Sequence, residues 1–175
     1  MKFLYKTILL LLVFISFQSC SKDEKKISQI KEINQETELM NTYKEGMSSL
    51  EEGDYFYASK KFLESEMLFP QSLWAPKSAL MSAYSLYMLN DYSAAKFNLE
   101  RYISTYPQDK NLAYAHFLLA MCFYENIIDE TTDQEPLLNA KRQFEIVVKN
   151  YNDTDFALDA KFKLDLINDI LASKE

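Results

Sequence analysis

The chain has 175 residues, 48% of them hydrophobic and 26% charged, with a formal net charge of −7. It holds only two glycines and four prolines, against usual frequencies of ~7% and ~5%. That is too few for β-sandwiches, barrels or glycine-loop nucleotide folds. Beyond residue 19 there are 17 basic and 26 acidic side chains, a net charge of −9. So acidic a body repels phosphate backbones, and no nucleic-acid partner is expected.

Lys2 and Lys6 precede an apolar run from Thr7 to Phe17. The run is shorter than the roughly 20 residues a bilayer span needs and has the length of a signal-peptide core. It ends in Phe17-Gln18-Ser19-Cys20, which resembles a bacterial lipobox. The resemblance implies cleavage before Cys20, an S-diacylglycerol and an N-acyl group on that residue, and a permanent membrane anchor. Ser21 in place of an aspartate resembles the export signal of Gram-negative outer-membrane lipoproteins. The predicted organisation is a signal peptide over 1–19, a lipidated cysteine and polar tether over 20–36, and a helical domain over 37–175. Cys122, the second cysteine, falls within an apolar helix and reads as a small buried hydrophobe.

Internal repetition organises the rest. Gly53-Asp54-Tyr55, Ala58 and Phe62, closing at Phe69-Pro70, recur 37 residues later as Asn90-Asp91-Tyr92, Ala95 and Leu99, closing at Tyr106-Pro107. Ala140 and Phe144, closing at Tyr151-Asn152, form a third copy offset by 45, with an insertion near Asp129 to Pro136. The pattern resembles the tetratricopeptide repeat, a helix–turn–helix unit of ~34 residues. The alanines allow helices to approach, the large residue four positions on fills the space between them, and the prolines end the second helices. The fold expected is all-α: a tetratricopeptide-like solenoid of about three hairpins (39–72, 75–109 and 111–152) and a final helix over 155–172. Lys161, Lys163, Asp165 and Asp169 suggest a partly polar outer face on that helix, as a terminal cap requires.

The first helices of the second and third repeats each carry a second apolar stripe. Leu80, Tyr84, Tyr87 and Met88 form one, and Tyr114, Phe117, Met121 and Tyr124 the other. In repeats of this type such positions line the concave groove, and a helix apolar on two faces is buried or binds something. These eight residues are the candidate peptide-binding groove. In repeat one, Met40, Tyr43, Met47 and Leu50 form a single stripe that reads as core.

The ordered set Phe69-Pro70-Gln71-Ser72, Asp91-Tyr92, Ala94-Ala95, Arg101-Tyr102-Ile103, Tyr106-Pro107, Cys122-Phe123-Tyr124 and Phe156-Ala157 resembles the BamD family of outer-membrane β-barrel assembly lipoproteins. The likeness covers about Asn41 to Glu175 and implies two further repeats than this chain holds. It also implies a non-enzymatic role: holding unfolded outer-membrane proteins by their aromatic-ended C-terminal segments. The partners implied are a BamA-like barrel subunit and other assembly-complex lipoproteins, at the periplasmic face of the outer membrane. Arg101 aligns with a basic residue of the family, for a partner contact or for a salt bridge between helices. The alternative is another periplasmic tetratricopeptide scaffold lipoprotein, for example one in Tol-associated envelope coordination.

No catalytic chemistry stands out. His116 is the one histidine and reads as a core or groove residue, so no zinc site and no cofactor is expected. Asp129, Glu130, Asp133 and Glu135 form an acidic loop without the spacing or glycine of a calcium loop, and read as solvated charge.

Overall fold

A computed structural model describes residues 23–125 and 134–173, with side chains from residue 36 onward. The leader, Cys20 and residues 129–133 of the acidic insert lie outside the described residues. Those described form seven helices and no strand: α1 (Asp23–Glu51), α2 (Tyr55–Leu68), α3 (Ala75–Met88), α4 (Tyr92–Thr105), α5 (Leu112–Glu125), α6 (Glu135–Asn150) and α7 (Asp155–Ala172). The all-α, tetratricopeptide-like expectation holds. The chain divides into a unit of residues 1–37 and a unit of residues 38–175. In the first, the described part is the start of α1, which covers most of the stretch read as a tether. The second unit carries the stacked hairpins.

The turn inside each of the first two hairpins follows from three adjacent residues. Gly53 and Asn90 both take left-handed backbone, at φ 83° and 62°, which glycine adopts freely and asparagine better than most. Next come Asp54 and Asp91, whose carboxylates accept from the amides of Tyr57 and Ala94, each at 3.0 Å. These N-caps satisfy donors that the first helical turn leaves open. The third hairpin uses other means: α6 opens with Glu135 and Pro136 in its first turn and has no side-chain cap bond. Glu135 is thus helical rather than part of an acidic loop, and its charge suits a helix N-terminus.

Within a hairpin the helices meet at small residues. Ala58, Ala95 and Ala140 are fully buried, as are Phe62, Leu99 and Phe144 one turn later. The facing first helices carry Gly46, Ala83 and Ala120 at equivalent places, and both alanines are also fully buried. At Gly46 the approach is closest, since an added Cβ would stand 2.9 Å from the Phe62 ring. Successive hairpins then share cores. One cluster joins Tyr43, Ala58 and Phe62 to Trp74 and Met81. A second joins residues of α3, α4 and α5, and a third joins α5, α6 and α7.

Polar groups buried between hairpins are paired. Ser65 Oγ donates to the Leu39 carbonyl at 3.2 Å. Its single proton is thereby used, so the Ser78 hydroxyl donates to it across 3.1 Å. Glu66 on α2 is 5% exposed. It receives both guanidinium branches of Arg101 from α4 at 2.7 Å each, and the Tyr106 hydroxyl at 2.8 Å. Arg101 therefore joins the first hairpin to the second. Removing it would strand a buried carboxylate, a defect of about 3–5 kcal/mol.

The final helix departs from expectation. Ala160 and Ile167 are buried, with Phe156, Leu164 and Leu171 packed beside them. Its outer side is mixed: Lys161, Asp165 and Asp169 are exposed as expected, but so are Leu158, Phe162 and Leu166, at 63%, 65% and 36%. Lys161, Lys163 and Asp165 lie between these three along the sequence, which hid a stripe that recurs every four positions.

Gly46→Ala sets helix propensity, a gain of about 1 kcal/mol, against overpacking of a buried ring, a loss of about 1–3 kcal/mol. Because Phe62 has no exposed side to move towards, net destabilisation by about 1 kcal/mol is expected. Urea unfolding followed by circular dichroism checks it.

Candidate functional site

The eight predicted groove residues separate into two environments. Leu80 is only 6% exposed and belongs to the α3–α5 core, with Tyr84, Tyr87 and Tyr114 half-buried against it. Phe117, Met121 and Tyr124 pack on the core of α5, α6 and α7. The Phe117 ring lies 5.8 Å from Phe144 and 5.7 Å from Phe156, so most of its surface serves helix stacking. Tyr114 also meets Phe156, at 5.2 Å. Met88 is half-buried at the end of α3.

Two of the eight, Leu80 and Tyr114, help line a cleft of about 390 Å³ between the start of α3 and the start of α5. Leu73, Lys77, Met81, Asp109, Lys110 and Asn111 complete it. Its lining joins apolar groups to two exposed ammonium groups, those of Lys77 and Lys110. Leu73 is 95% exposed at its edge. Under the 37-residue offset Leu73 is equivalent to Lys110 and Lys77 to Tyr114, so one repeat position supplies the apolar group on one side and the cation on the other.

Several contacts fix the lining. Lys77 Nζ sits 4.7 Å over the Trp74 ring and 5.1 Å over the Tyr43 ring, contacts that favour a cation at an aromatic face. Asp109 accepts from the Tyr102 hydroxyl at 2.6 Å and from the Asn111 backbone amide at 2.8 Å and its side-chain amide at 2.9 Å. Oδ1 is thereby engaged in the α4–α5 connection, and the Asp109 carboxylate shares the cleft lining with the two lysines. Burial raises the Tyr114 phenol above its ordinary range. Burial, with Glu125 nearby, pushes Tyr87 up to about 12. Both tyrosines are neutral at physiological pH, as an apolar partner requires. The lysine pair was missed in the sequence because Lys77 and Lys110 lie on separate elements. The 37-residue offset does not pair them either, since it matches Lys77 with Tyr114 and Lys110 with Leu73.

Among the described residues, no group of His, Cys, Asp or Glu could hold a metal ion, and no helix is long and apolar enough to cross a membrane. Residues 35–175 match the YfiO family, described as an outer membrane lipoprotein. The chain belongs to this family. A relative from Caulobacter vibrioides, named outer membrane protein assembly factor BamD, is 37% identical over 169 residues, covering 97% of this chain and 54% of its own length. One of the same name from Rickettsia prowazekii is 35% identical over 137 residues, covering 78% of this chain and 55% of its own. A third from Haemophilus influenzae is 24% identical over 180 residues, covering 97% and 66%. The chain thus spans about half the length of the two curated relatives matched at 35% identity or more.

Cys122 and His116 are set apart from this cleft by burial. Cys122 is fully buried, and burial pushes its thiol up to about 12, so it stays protonated. His116 stacks beside Tyr151 at 5.8 Å. Burial lowers its pKa below the ordinary 6.5, with Gln143 acting in the opposite sense. A base with a depressed folded pKa is neutral in the native state but takes up a proton on unfolding. Stability is therefore expected to fall as pH drops below about 6.5, the ordinary value. His116→Gln should reduce the loss between pH 7.5 and pH 5.0, as read by chemical denaturation at each pH.

Proposed function

We propose that this chain is a non-enzymatic lipoprotein of the outer-membrane β-barrel assembly machinery, holding unfolded outer-membrane proteins before insertion. The family match over residues 35–175, with relatives named as outer membrane protein assembly factors, carries the reading. It favours this role over the Tol-associated scaffold. On this reading Cys20 bears an S-diacylglycerol and an N-acyl group and anchors the chain to the periplasmic face of the outer membrane. A BamA-like barrel subunit and other assembly lipoproteins are the partners.

The cleft between α3 and α5 supplies a chemical reason for a chain-terminal client. An aromatic side chain suits the apolar surface of Leu80, Met81 and Tyr114, and the terminal carboxylate suits Lys77 and Lys110. Charge-assisted contacts are the stronger class of hydrogen bond, and aromatic groups bury large area at low entropy. The flexible thioether of Met81 and the exposed Leu73 tolerate variation among clients.

Lys77→Glu with Lys110→Glu is expected to weaken a barrel protein's aromatic-ended C-terminal peptide at least tenfold. The helical circular dichroism spectrum should not change, because both side chains are exposed. Amidation of the peptide's C-terminus should produce a similar loss in the unaltered protein and little further loss in the variant. Equal affinity of amidated and free-acid peptides would exclude the carboxylate contact.

A further inference from the structure

The second helices of the hairpins carry an exposed row whose chemistry changes along the chain. At 100° per residue, Phe56, Lys60, Leu63 and Met67 of α2 fall within a sector of about 60°. Ala58, Phe62 and Ser65, which are buried, lie on the other side of the helix. The offset of 37 pairs the exposed four with Ser93, Phe97, Glu100 and Ser104 on α4. A further 45 pairs them with Leu138, Arg142, Glu145 and Lys149 on α6. All twelve are exposed. Three of the four are apolar on α2, against one on α4 and one on α6. The repeat therefore does not require apolar groups at these positions, and their concentration on α2 calls for another cause.

Phe56 is 54% exposed, Met67 69% and Leu63 37%. The Lys60 ammonium sits 4.3 Å over the Phe56 ring, and that of Lys61 5.5 Å over the exposed Tyr57 ring. Beside them Leu63, Met67 and Leu68 line only a shallow depression. A stripe this open encloses no ligand but lies readily against a plane. A protein interface would strand the Lys60 charge among apolar groups unless it supplied an acid. A bilayer accepts the same set as it stands. Rings and aliphatic groups enter the headgroup boundary, while lysine stems lie along them with their charges at the phosphates.

We propose that this face of α2 lies on the surface of the lipid bilayer to which the chain is tethered. The contact rests on the reading of Cys20 as a lipid anchor, which the family's description as an outer membrane lipoprotein supports. From Cys20 to Glu36 the chain reaches at most about 58 Å even if fully extended. The first hairpin is thus held near the membrane, where a small apolar stripe engages without high affinity of its own. Later hairpins lie further from the anchor along the sequence, and their equivalent rows are mostly polar. On α2 the stripe points away from the side buried against α1 and α3. The contact therefore turns the cleft between α3 and α5 away from the bilayer.

The acylated full chain, reconstituted in phosphatidylethanolamine–phosphatidylglycerol vesicles, tests this with the fluorophore NBD attached at Met67→Cys. Cys122 is fully buried, so the introduced thiol takes the label. Emission at 67 is expected to shift to the blue and to fall at least twofold when brominated lipid replaces ordinary lipid. NBD at Ser104→Cys, the equivalent position on α4, should show neither effect. Phe56→Ser with Leu63→Ser should abolish the quenching at 67, with thermal unfolding of the variant checked in parallel. Absence of quenching at 67, equal quenching at 104, or quenching unchanged by the paired serines would overturn the proposal. So would a blue shift at 67 that brominated lipid leaves unquenched and that grows with protein density, because a second copy would then cover the stripe. Mass spectrometry separates the two readings. An acylated chain unquenched at 67 overturns this proposal alone, and a chain without lipid overturns the anchored reading and this proposal with it.

Discussion

The close crossing of paired helices is the constraint on which the rest of this structure depends. Gly46, Ala58, Ala83, Ala95, Ala120 and Ala140 let backbones approach, and Phe62, Leu99 and Phe144 seal the space that opens beyond them. Interiors packed at crystal-like density transmit any change in that spacing. Since each core is shared with the next hairpin, the crossing distance also sets where α3 lies relative to α5. The cleft between them exists because Leu80 and Tyr114 are held at the edge of a core whose geometry is fixed by alanines elsewhere.

Polar contacts add registration rather than bulk stability. The Glu66–Arg101–Tyr106 group spans two hairpins, and the bidentate fork accepts only a narrow range of angles. The serines between α1, α2 and α3 do the same at smaller scale. Both sets tie the first hairpin to the second, whose second helix, α4, leads into the Asp109 connection. Asp109 in turn carries Lys110 into the cleft. The route from helix packing to ligand chemistry is therefore short: a stacked pair, a fixed connection, and a cation at its exposed end.

Much of the fold was legible because the repeat demands the same residue types at the same offsets. Asp54 and Asp91 announced the helix starts, Pro70 and Pro107 the ends, and the alanines the crossings. Less of the site was legible. Leu80 and Phe117 looked like groove residues because their stripe is apolar, yet stacking of the following helices consumes most of their surface. Periodicity identifies a face without saying what covers it. Lys77 and Lys110 were invisible as a pair because single lysines on separate elements carry no pattern. Glu66 was equally silent, since its burial depends on Arg101 arriving 35 positions later. The apolar side of α7 was masked by the charged residues interleaved with it.

Site-specific photocrosslinking in living cells tests the central claim most directly. A photoreactive phenylalanine analogue at Met81, in the cleft, should capture unfolded outer-membrane proteins during their synthesis. The same analogue at Phe97, which is 69% exposed on α4 and lies outside the cleft, should not. Capture at Phe97 with none at Met81, in a protein that folds normally, would contradict the account.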